Sequence, residues 1–389
     1  MKISIGVFFG GKSVEHEISV ISAVQVMKVL VNENYEIIPI YISKNGKWYN
    51  SENLFEIDNY KDLKKLLSNS IEINMTSIFG DNFIYKTKTN FLGQNKILTK
   101  IDIAFPILHG TYGEDGTIQG FFDLKGISYV GSDLLSSAVG MDKIISKMIL
   151  KSNEIPVVDF IWFYEKEWYK NKDNFIKKIN FPVIIKPANL GSSIGISKAK
   201  NLSELTEAIE FAGNFSNKIL IEKMIYPLKE INCSVLGDSE KSFTSVLEEP
   251  ISSGDILSYE DKYFSKGNNN KGITSTKRKI PADIPKEMEN KIKNLAKKTF
   301  KIFGNSGVVR IDFIIDKKEN EVFVNEINTI PGSLSFYLWE ATNKKFSELL
   351  NNLIEIALKK QREKENLKIS YKKNIFNLDP KSLKMGNKN

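Results

Sequence analysis

Residues 307–328 read GVVRIDFIIDKKENEVFVNEIN, two apolar runs joined by a charged turn. Alternate residues of a strand share a face. Arg310 and Asp312 therefore point one way together, as do Glu326 and Asn328. A hairpin with a five-residue turn at 317–321 sets Asp312 opposite Glu326 and Arg310 opposite Asn328, with all four on one side. A slip of one residue would send the two pairs to opposite faces. Two carboxylates and an amide offer hard oxygen ligands that suit Mg2+, especially where phosphates complete the shell. The plainer alternative is a solvated face with cross-strand ion pairs. Against it, Val308, Ile311, Phe313, Ile315, Val322, Val324 and Ile327 make these strands otherwise apolar, and polar residues clustered among such neighbours need a reason.

The rest of the chain narrows what such a hairpin belongs to. At 389 residues the chain is too long for one compact core, so two or three domains are expected. With 55 Lys and Arg against 47 Asp and Glu the net charge is +8. The lysines are dispersed and no basic run alternates with aromatics. A basic enzyme acting on anionic substrates accounts for the charge, and no nucleic-acid partner is expected. No apolar run reaches about 18 residues, so no membrane span is expected. The start, MKISIGVFF, does not read as a signal peptide. A single cysteine, Cys233, excludes an internal disulfide and fits a reducing compartment, the cytoplasm. Cys233, His16 and His109 are too few and too scattered for a zinc site.

Residues 2–9 read as a buried strand ending at Gly10-Gly11. A helix follows from about Glu15 to Leu30, with Ile18, Ile21, Val24 and Met27 at three-residue spacing. Glu36–Ile42 is the next strand, and this β-α-β start suggests a doubly wound parallel sheet. Residues 50–100 suggest a helix and a small hairpin. KIDIAFPILHG (100–110) is a strand, and LLSSAVGMDKIISKMILKSN (134–153) a helix. FPVIIKPANLGSSIGISKA (181–199) is strand, glycine loop and strand, and KILIEKMI (218–225) another strand. The last helix runs from about Phe346, with Leu349, Leu350, Leu353, Ile354 and Ala357 on one face. Seams near Gly131 and Glu222 divide the chain into 1–131, 132–221 and 222–364, followed by a polar tail, 365–389.

Several stretches could carry chemistry. GVFFGGKS, from Gly6 to Ser13, matches G-x-x-x-x-G-K-S, the phosphate-binding P-loop. Val7, Phe8 and Phe9 are too bulky to wrap backbone N–H groups around a phosphate and belong to the core. The Gly10-Gly11 turn can still set donors beside an anionic ligand at a helix N-terminus. Glu15, in the first turn, either projects into the crevice where ligands bind and holds an ammonium, or simply complements the helix dipole. Lys186 ends a buried strand, and Gly191-Ser192-Ser193 could fold over phosphates or form an ordinary hairpin turn. Glu222 and Glu230 flank a segment that could line an adenine and ribose pocket. HGTYGEDGTIQG (109–120) follows a strand at the usual ligand edge, and its polar, glycine-rich context favours a substrate role for His109 over a purely structural one.

Seven segments in this order resemble the D-alanine–D-alanine ligases of the ATP-grasp superfamily. They are GGKSVEHEIS, HGTYGEDGTIQG, GMDKIISK, PVIIKPANLGSSIGISK, ILIEK, YEDKY and RIDF with NEINTIPG, and they span residues 6 to about 340. The resemblance implies an α/β fold of three domains: a doubly wound N-terminal sheet, then two α+β domains that clamp ATP between antiparallel sheets. Lys143 and Lys186 match the lysines that hold ATP phosphates, and Ser192 and Ser193 the loop that covers them. Glu222, with the backbone of Lys223 to Ile225, matches the adenine contact, and Glu230 the ribose carboxylate. Asp312, Glu326 and Asn328 match the ligands of two Mg2+ ions, for which Mn2+ can substitute. Arg310 matches the arginine that stabilises the reacting centre. Glu15 matches the acceptor of the first substrate's ammonium, with Ser192 and Tyr263 as its hydrogen-bond partners. Lys262 and Tyr263 fall in a matching lid, Ser258–Gly272.

The implied reaction joins two D-alanines at the expense of ATP, through an acyl phosphate, for peptidoglycan synthesis. One segment departs from the family. After Pro331-Gly332 the sequence reads SLSFYLWE, where Tyr337 and Leu338 take places that relatives give to a hydroxyl and small residues near the second substrate's carboxylate. D-serine or another second amino acid is therefore the alternative, while Tyr263 favours alanine over lactate. The resemblance also implies a homodimer.

Overall fold

The computed structural model describes residues 2–78, 81–87, 96–251 and 278–368. The expected lid with Lys262 and Tyr263, and residues 369–389 of the tail, lie outside the described residues.

The first sheet holds β1 (Ile3–Gly10), β2 (Tyr35–Ile42), β3 (Trp48–Asn50), β4 (Ile71–Ile78), β5 (Asp81–Lys86), β6 (Ile97–Ile101), β7 (Ile103–Ile107) and β8 (Ser128–Tyr129), in the order β6-β5-β4-β3-β2-β1-β7-β8. Only β2-β1-β7-β8 run parallel. From β2 to β6 each strand is antiparallel to the next. The sheet is thus mixed rather than wholly doubly wound. A parallel pair needs a long crossover, such as the helix α1 (His16–Leu30) between β1 and β2, whereas short connections permit only antiparallel neighbours. Val7, Phe8 and Phe9 are fully buried in β1, which disposes of the P-loop reading. The helix α2 (Leu63–Ser68) lies between β3 and β4, and α3 (Thr117–Lys125) between β7 and β8.

The expected helix 134–153 is two helices, α4 (Leu134–Met141) and α5 (Lys143–Ser152). Asp142 separates them in an extended conformation. Its carboxylate accepts from the N–H groups of Ile144 and Ile145, the usual gain of an N-cap. The Lys143 N–H leaves the helix pattern and donates to the Ala188 carbonyl at 2.9 Å, tying the start of α5 to the second sheet.

That sheet, ordered β11-β10-β12-β9, comprises β9 (Phe160–Tyr164), β10 (Val183–Pro187), β11 (Ser197–Ala199) and β12 (Lys218–Lys223), all antiparallel. The helices α6 (Glu165–Ile176) and α7 (Leu202–Gly213) cover one face through Trp168, Leu205 and Ile209. The third sheet, ordered β15-β14-β13-β16-β17, comprises β13 (Leu228–Gly237), β14 (Ser242–Pro250), β15 (Arg278–Lys279), β16 (Gly307–Asp316) and β17 (Glu321–Asn328). It packs on the helix Lys286–Ile302 through Ile292, Ala296 and Phe300. The last helix, Phe346–Glu365, returns to the first sheet. Its Leu349, Leu350, Leu353 and Ile354 share one core with Val7, Phe9, Val24 and Met27, and with Val308 of β16.

The β16–β17 hairpin pairs Arg310 with Asn328 and Asp312 with Glu326, as expected, but by a different route. Asp316 pairs with Glu321, so the turn has four residues, 317–320, not five. Between Asp312 and Phe313 the register shifts by one, and Asn325 is the extra residue of a β-bulge. The bulge restores the pairing that the shorter turn would have lost.

Candidate active site

One cleft opens between the second and third sheets and reaches the C-terminal ends of β1 and β7. Every site residue expected from the sequence that lies among the described residues lines it, except Leu338. Leu338 is 0% exposed and sits in the core. Neighbouring positions on the short helix Phe336–Glu340 point about 100° apart, so turning Tyr337 to the cleft turns Leu338 away.

On the third sheet, Arg310 grips Asp312 with a fork, Nε to Oδ1 at 2.6 Å and Nη2 to Oδ2 at 2.8 Å. Asn328 Nδ2 donates to the same carboxylate at 3.1 Å. Across the cleft, Lys143 Nζ lies 3.4 Å from Glu326 Oε2 and donates to the Leu190 carbonyl at 2.8 Å. Lys186 Nζ donates to Asn325 Oδ1 at 3.2 Å. Asn325 escapes a sequence reading, because strict alternation puts it on the face opposite Glu326; the bulge brings both to the cleft.

Lys186 also lies 2.6 Å from Glu222 Oε2, and Lys147 Nζ lies 2.6 Å from Glu222 Oε1. Burial alone would push the Glu222 carboxyl up. The Lys147 and Lys186 ammoniums more than offset that and hold it down to about 2. The side chain expected beside adenine is therefore engaged by two lysines. The N–H groups of Lys223 and Met224 donate to Asp159 and Pro182 carbonyls at 3.1 Å each. Ile225, Leu228 and Glu230 complete this end of the cleft.

At the other end, Glu15 precedes α1, yet its carboxylate does not cap the helix. It accepts a hydrogen bond from the Ser192 hydroxyl, which arrives from the second sheet's glycine loop. Glu15 thus lines the cleft while standing at the N-terminus of α1. Ser192 and Ser193 both adopt positive φ, at 54° and 59°. Glycine is favoured at Gly110, whose φ is 70° and where a Cβ would meet Glu15 Oε2 and Ser13 Oγ at 2.7 Å; at Gly191 a Cβ would sit 3.2 Å from Glu15 Oε2, a tight contact.

His109 borders this end with both ring nitrogens engaged. Nδ1 lies 2.8 Å from the Ile330 carbonyl, so it must carry the proton, and Nε2 accepts from the Ser22 hydroxyl at 3.1 Å. Burial pushes its pKa down, which fits a neutral ring. Its direct bonds tie β7 to the segment after β17. Glu114, not singled out from the sequence, accepts from the Gly110 N–H at 2.8 Å and the Ile330 N–H at 3.1 Å. Burial, then the charge of Glu15, push it up to about 8. An acid set among four glycines was the available signal.

Tyr337 closes a further corner. Its hydroxyl donates to Glu248 Oε2 at 3.0 Å, which also accepts from Asn232 Nδ2 at 3.1 Å. Arg278 pairs with Glu248 Oε1 at 3.0 Å and lies over the Tyr337 ring at 4.4 Å.

Comparison with known proteins resolves what this combination belongs to. Residues 4–132 match the family model of the D-ala D-ala ligase N-terminus, and residues 149–355 that of the D-ala D-ala ligase C-terminus. The chain belongs to the D-alanine–D-alanine ligase family. A D-alanine–D-alanine ligase of Thermosipho melanesiensis is 42% identical over 369 residues, 94% of this chain and 97% of the relative. One from Caldicellulosiruptor bescii is 42% identical over 378 residues, covering 95% and 99%. Among solved structures, the D-alanine–D-alanine ligase of Coxiella burnetii superposes with a TM-score of 0.76 at 28% identity, covering 94% of this chain and 96% of that one. The VanG D-Ala:D-Ser ligase of Enterococcus faecalis gives 0.76 at 30% identity, covering 92% and 100%. Membership makes the ATP-grasp architecture of the ligases the frame for the two antiparallel sheets that face each other here. Among the described residues no helix is long and apolar enough to cross a membrane.

Proposed function

We propose that this chain is an ATP-dependent ligase that joins two D-alanines, giving D-alanyl-D-alanine, ADP and phosphate for peptidoglycan synthesis in the cytoplasm. One observation carries the reading: Arg310, Asp312, Glu326 and Asn328 line one cleft with Lys143 and Lys186, and Glu15 with Ser192 lies at its end.

The γ-phosphoryl of ATP passes to the carboxylate of the first D-alanine and ADP leaves. The amine of the second then attacks the acyl carbon, phosphate departs, and the amine gives up a proton. Bringing an anionic nucleophile to a polyphosphate needs positive charge, which Lys143, Lys186 and Arg310 supply. Glu15, with Ser192 bonded to it, holds the first substrate's ammonium. Ser192 and Ser193 cover the phosphates, Lys223 to Ile225 and Glu230 take adenine and ribose, and Tyr263 and Lys262 belong to the lid. His109, Gly332 and Tyr337 border the amino acids.

Asp312, Glu326 and Asn328 fit Mg2+ or Mn2+. Their oxygens are hard, and all three residues line one cleft with Lys143 and Lys186, where phosphate oxygens could complete a shell. The ion supplies charge neutralisation for those phosphates when bound.

D-alanine as second substrate follows the names of the relatives at 42% identity. The VanG structure shares the fold, and Tyr337 keeps D-serine as the second reading. An ADP-release assay with product analysis over D-alanine, D-serine and D-lactate tests both. D-alanyl-D-alanine is the expected product, and Asp312→Ala and Glu326→Ala should each lose on the order of 10²-fold or more in rate. Near wild-type rates in either variant sink the metal assignment, and a D-alanyl-D-serine product replaces the first reading by the second.

A further inference from the structure

Lys147 takes no part in the chemistry above. It lies one helical turn beyond Lys143 on α5, so the two project along one side of the helix. Lys143 lines the cleft and Lys147 does not. Lys147 is 1% exposed, and its ammonium stops 2.6 Å from Glu222 Oε1. The other Glu222 oxygen lies 2.6 Å from Lys186, which in turn reaches Asn325 at the cleft wall. One carboxylate, 3% exposed, thus serves two ammoniums and gives each a single oxygen.

The charge count decides what this arrangement does. A Lys186–Glu222 pair alone is neutral, and a polyphosphate gains little from it. With Lys147 protonated, two lysines on one carboxylate leave a net +1; burial pushes the Lys147 pKa down and the Glu222 charge pulls against that, and of the two lysines only Lys186 meets the cleft. In surroundings this poor in water the excess charge is felt across several ångströms. Engaging Oε1 on Lys147 also stops the carboxylate from turning both oxygens onto Lys186.

We propose that Lys147 is a positioning residue for the nucleotide: by holding one oxygen of Glu222 it keeps Lys186 only half-neutralised and directed at the phosphates. This rests on reading the cleft as the ATP site. The test is calorimetric binding of Mg·ADP to the full chain, alongside KM for ATP and for D-alanine. It compares wild type, Lys147→Met, Glu222→Gln and the double variant, each checked for folding by thermal unfolding.

Lys147→Met should weaken ADP binding about tenfold, or about 1.4 kcal/mol. KM for ATP should rise with it while KM for D-alanine stays put. Glu222 lines the cleft, so Glu222→Gln is expected to change ADP affinity in its own right and serves only as the background in which the Lys147 effect is read. In that background Lys147→Met should cost almost nothing, since there is no carboxylate left to hold. If Lys147→Met does not fold, the comparison of Glu222→Gln with the double variant decides, equal affinities supporting the proposal. Equal loss in both backgrounds, or unchanged ADP affinity in a folded Lys147→Met, overturns it. A wild-type chain that binds no ADP refutes the nucleotide reading itself, whereas wild-type binding without the Lys147 effect refutes this inference alone.

Discussion

Glu114 and Glu222 line the same cleft and are driven in opposite directions. Burial pushes both carboxyls up. Glu222 meets Lys147 and Lys186 at 2.6 Å each and ends near about 2. Glu114 meets two backbone N–H groups, but also the charge of Glu15, and ends near about 8. Backbone donors do not outweigh lost water plus a like charge, whereas two full counter-charges do. The two ends of the cleft are therefore chemically unlike. One is a wall where two lysines share an ionised carboxylate, suited to a polyanion. The other is an acidic pair at which an ammonium is welcome.

Alanine substitution is the harshest way to break this contrast. Glu222→Ala leaves two buried ammoniums without a counter-charge, and should cost about 3–5 kcal/mol. Glu114→Ala orphans two N–H groups but, with Glu114 protonated at neutral pH, strands no buried charge, so about 1–3 kcal/mol is expected. Urea unfolding at neutral pH measures both. If Glu114→Ala proves the more damaging, counter-charge is not what separates the two sites.

The contrast also marks where the sequence stops being informative. Polar residues inside apolar strands betray the Arg310–Asp312 and Glu326–Asn328 faces, because alternation is a local rule. The bulge at Asn325 has no such local rule, and the right pairing came from a turn one residue too long. Helical periodicity runs straight through Asp142, since a capping side chain competes with the helix without altering the apolar spacing. Alternation reports which residues of a strand share a face but not which way the strand runs, so the antiparallel pairing after β2 leaves no mark in it. Glu222 is visible as a ligand-facing residue. Its ion pair with Lys147 is not, because two residues on separate elements leave no trace in the spacing of either. Tyr337 and Leu338 looked equivalent on paper, and only the helix that carries them separates cleft from core.

Acid titration sharpens the comparison from the Glu222 side. Its folded value, about 2, lies below the ordinary 4.5. The stabilisation is therefore fully present above about pH 4.5 and is lost as pH falls through 2, where the folded state must finally take up the proton. The shift corresponds to about 3 kcal/mol. Unfolding free energy of wild type should fall over this window more steeply than that of Glu222→Gln. Parallel curves would show that the lysines do not hold the carboxylate.

Glu114 should show the reverse sign. Its folded value, about 8, lies above the ordinary 4.5, so between the two the folded state keeps a proton that the unfolded chain has released. Raising the pH through that window favours unfolding, and stability declines as pH rises from about 4.5 to 8. Glu114→Gln cannot titrate, so this decline should vanish from its curve. The amide also replaces one acceptor oxygen by a donor facing the Gly110 or Ile330 N–H, so at the acid end of the window, where wild type is protonated, the variant should be about 1 kcal/mol less stable. A variant curve lying below wild type at pH 4.5 and crossing above it before pH 8 is the expected pattern. If the gap stays constant, Glu114 is already ionised at neutral pH, and the difference between the two glutamates is one of partners without one of charge.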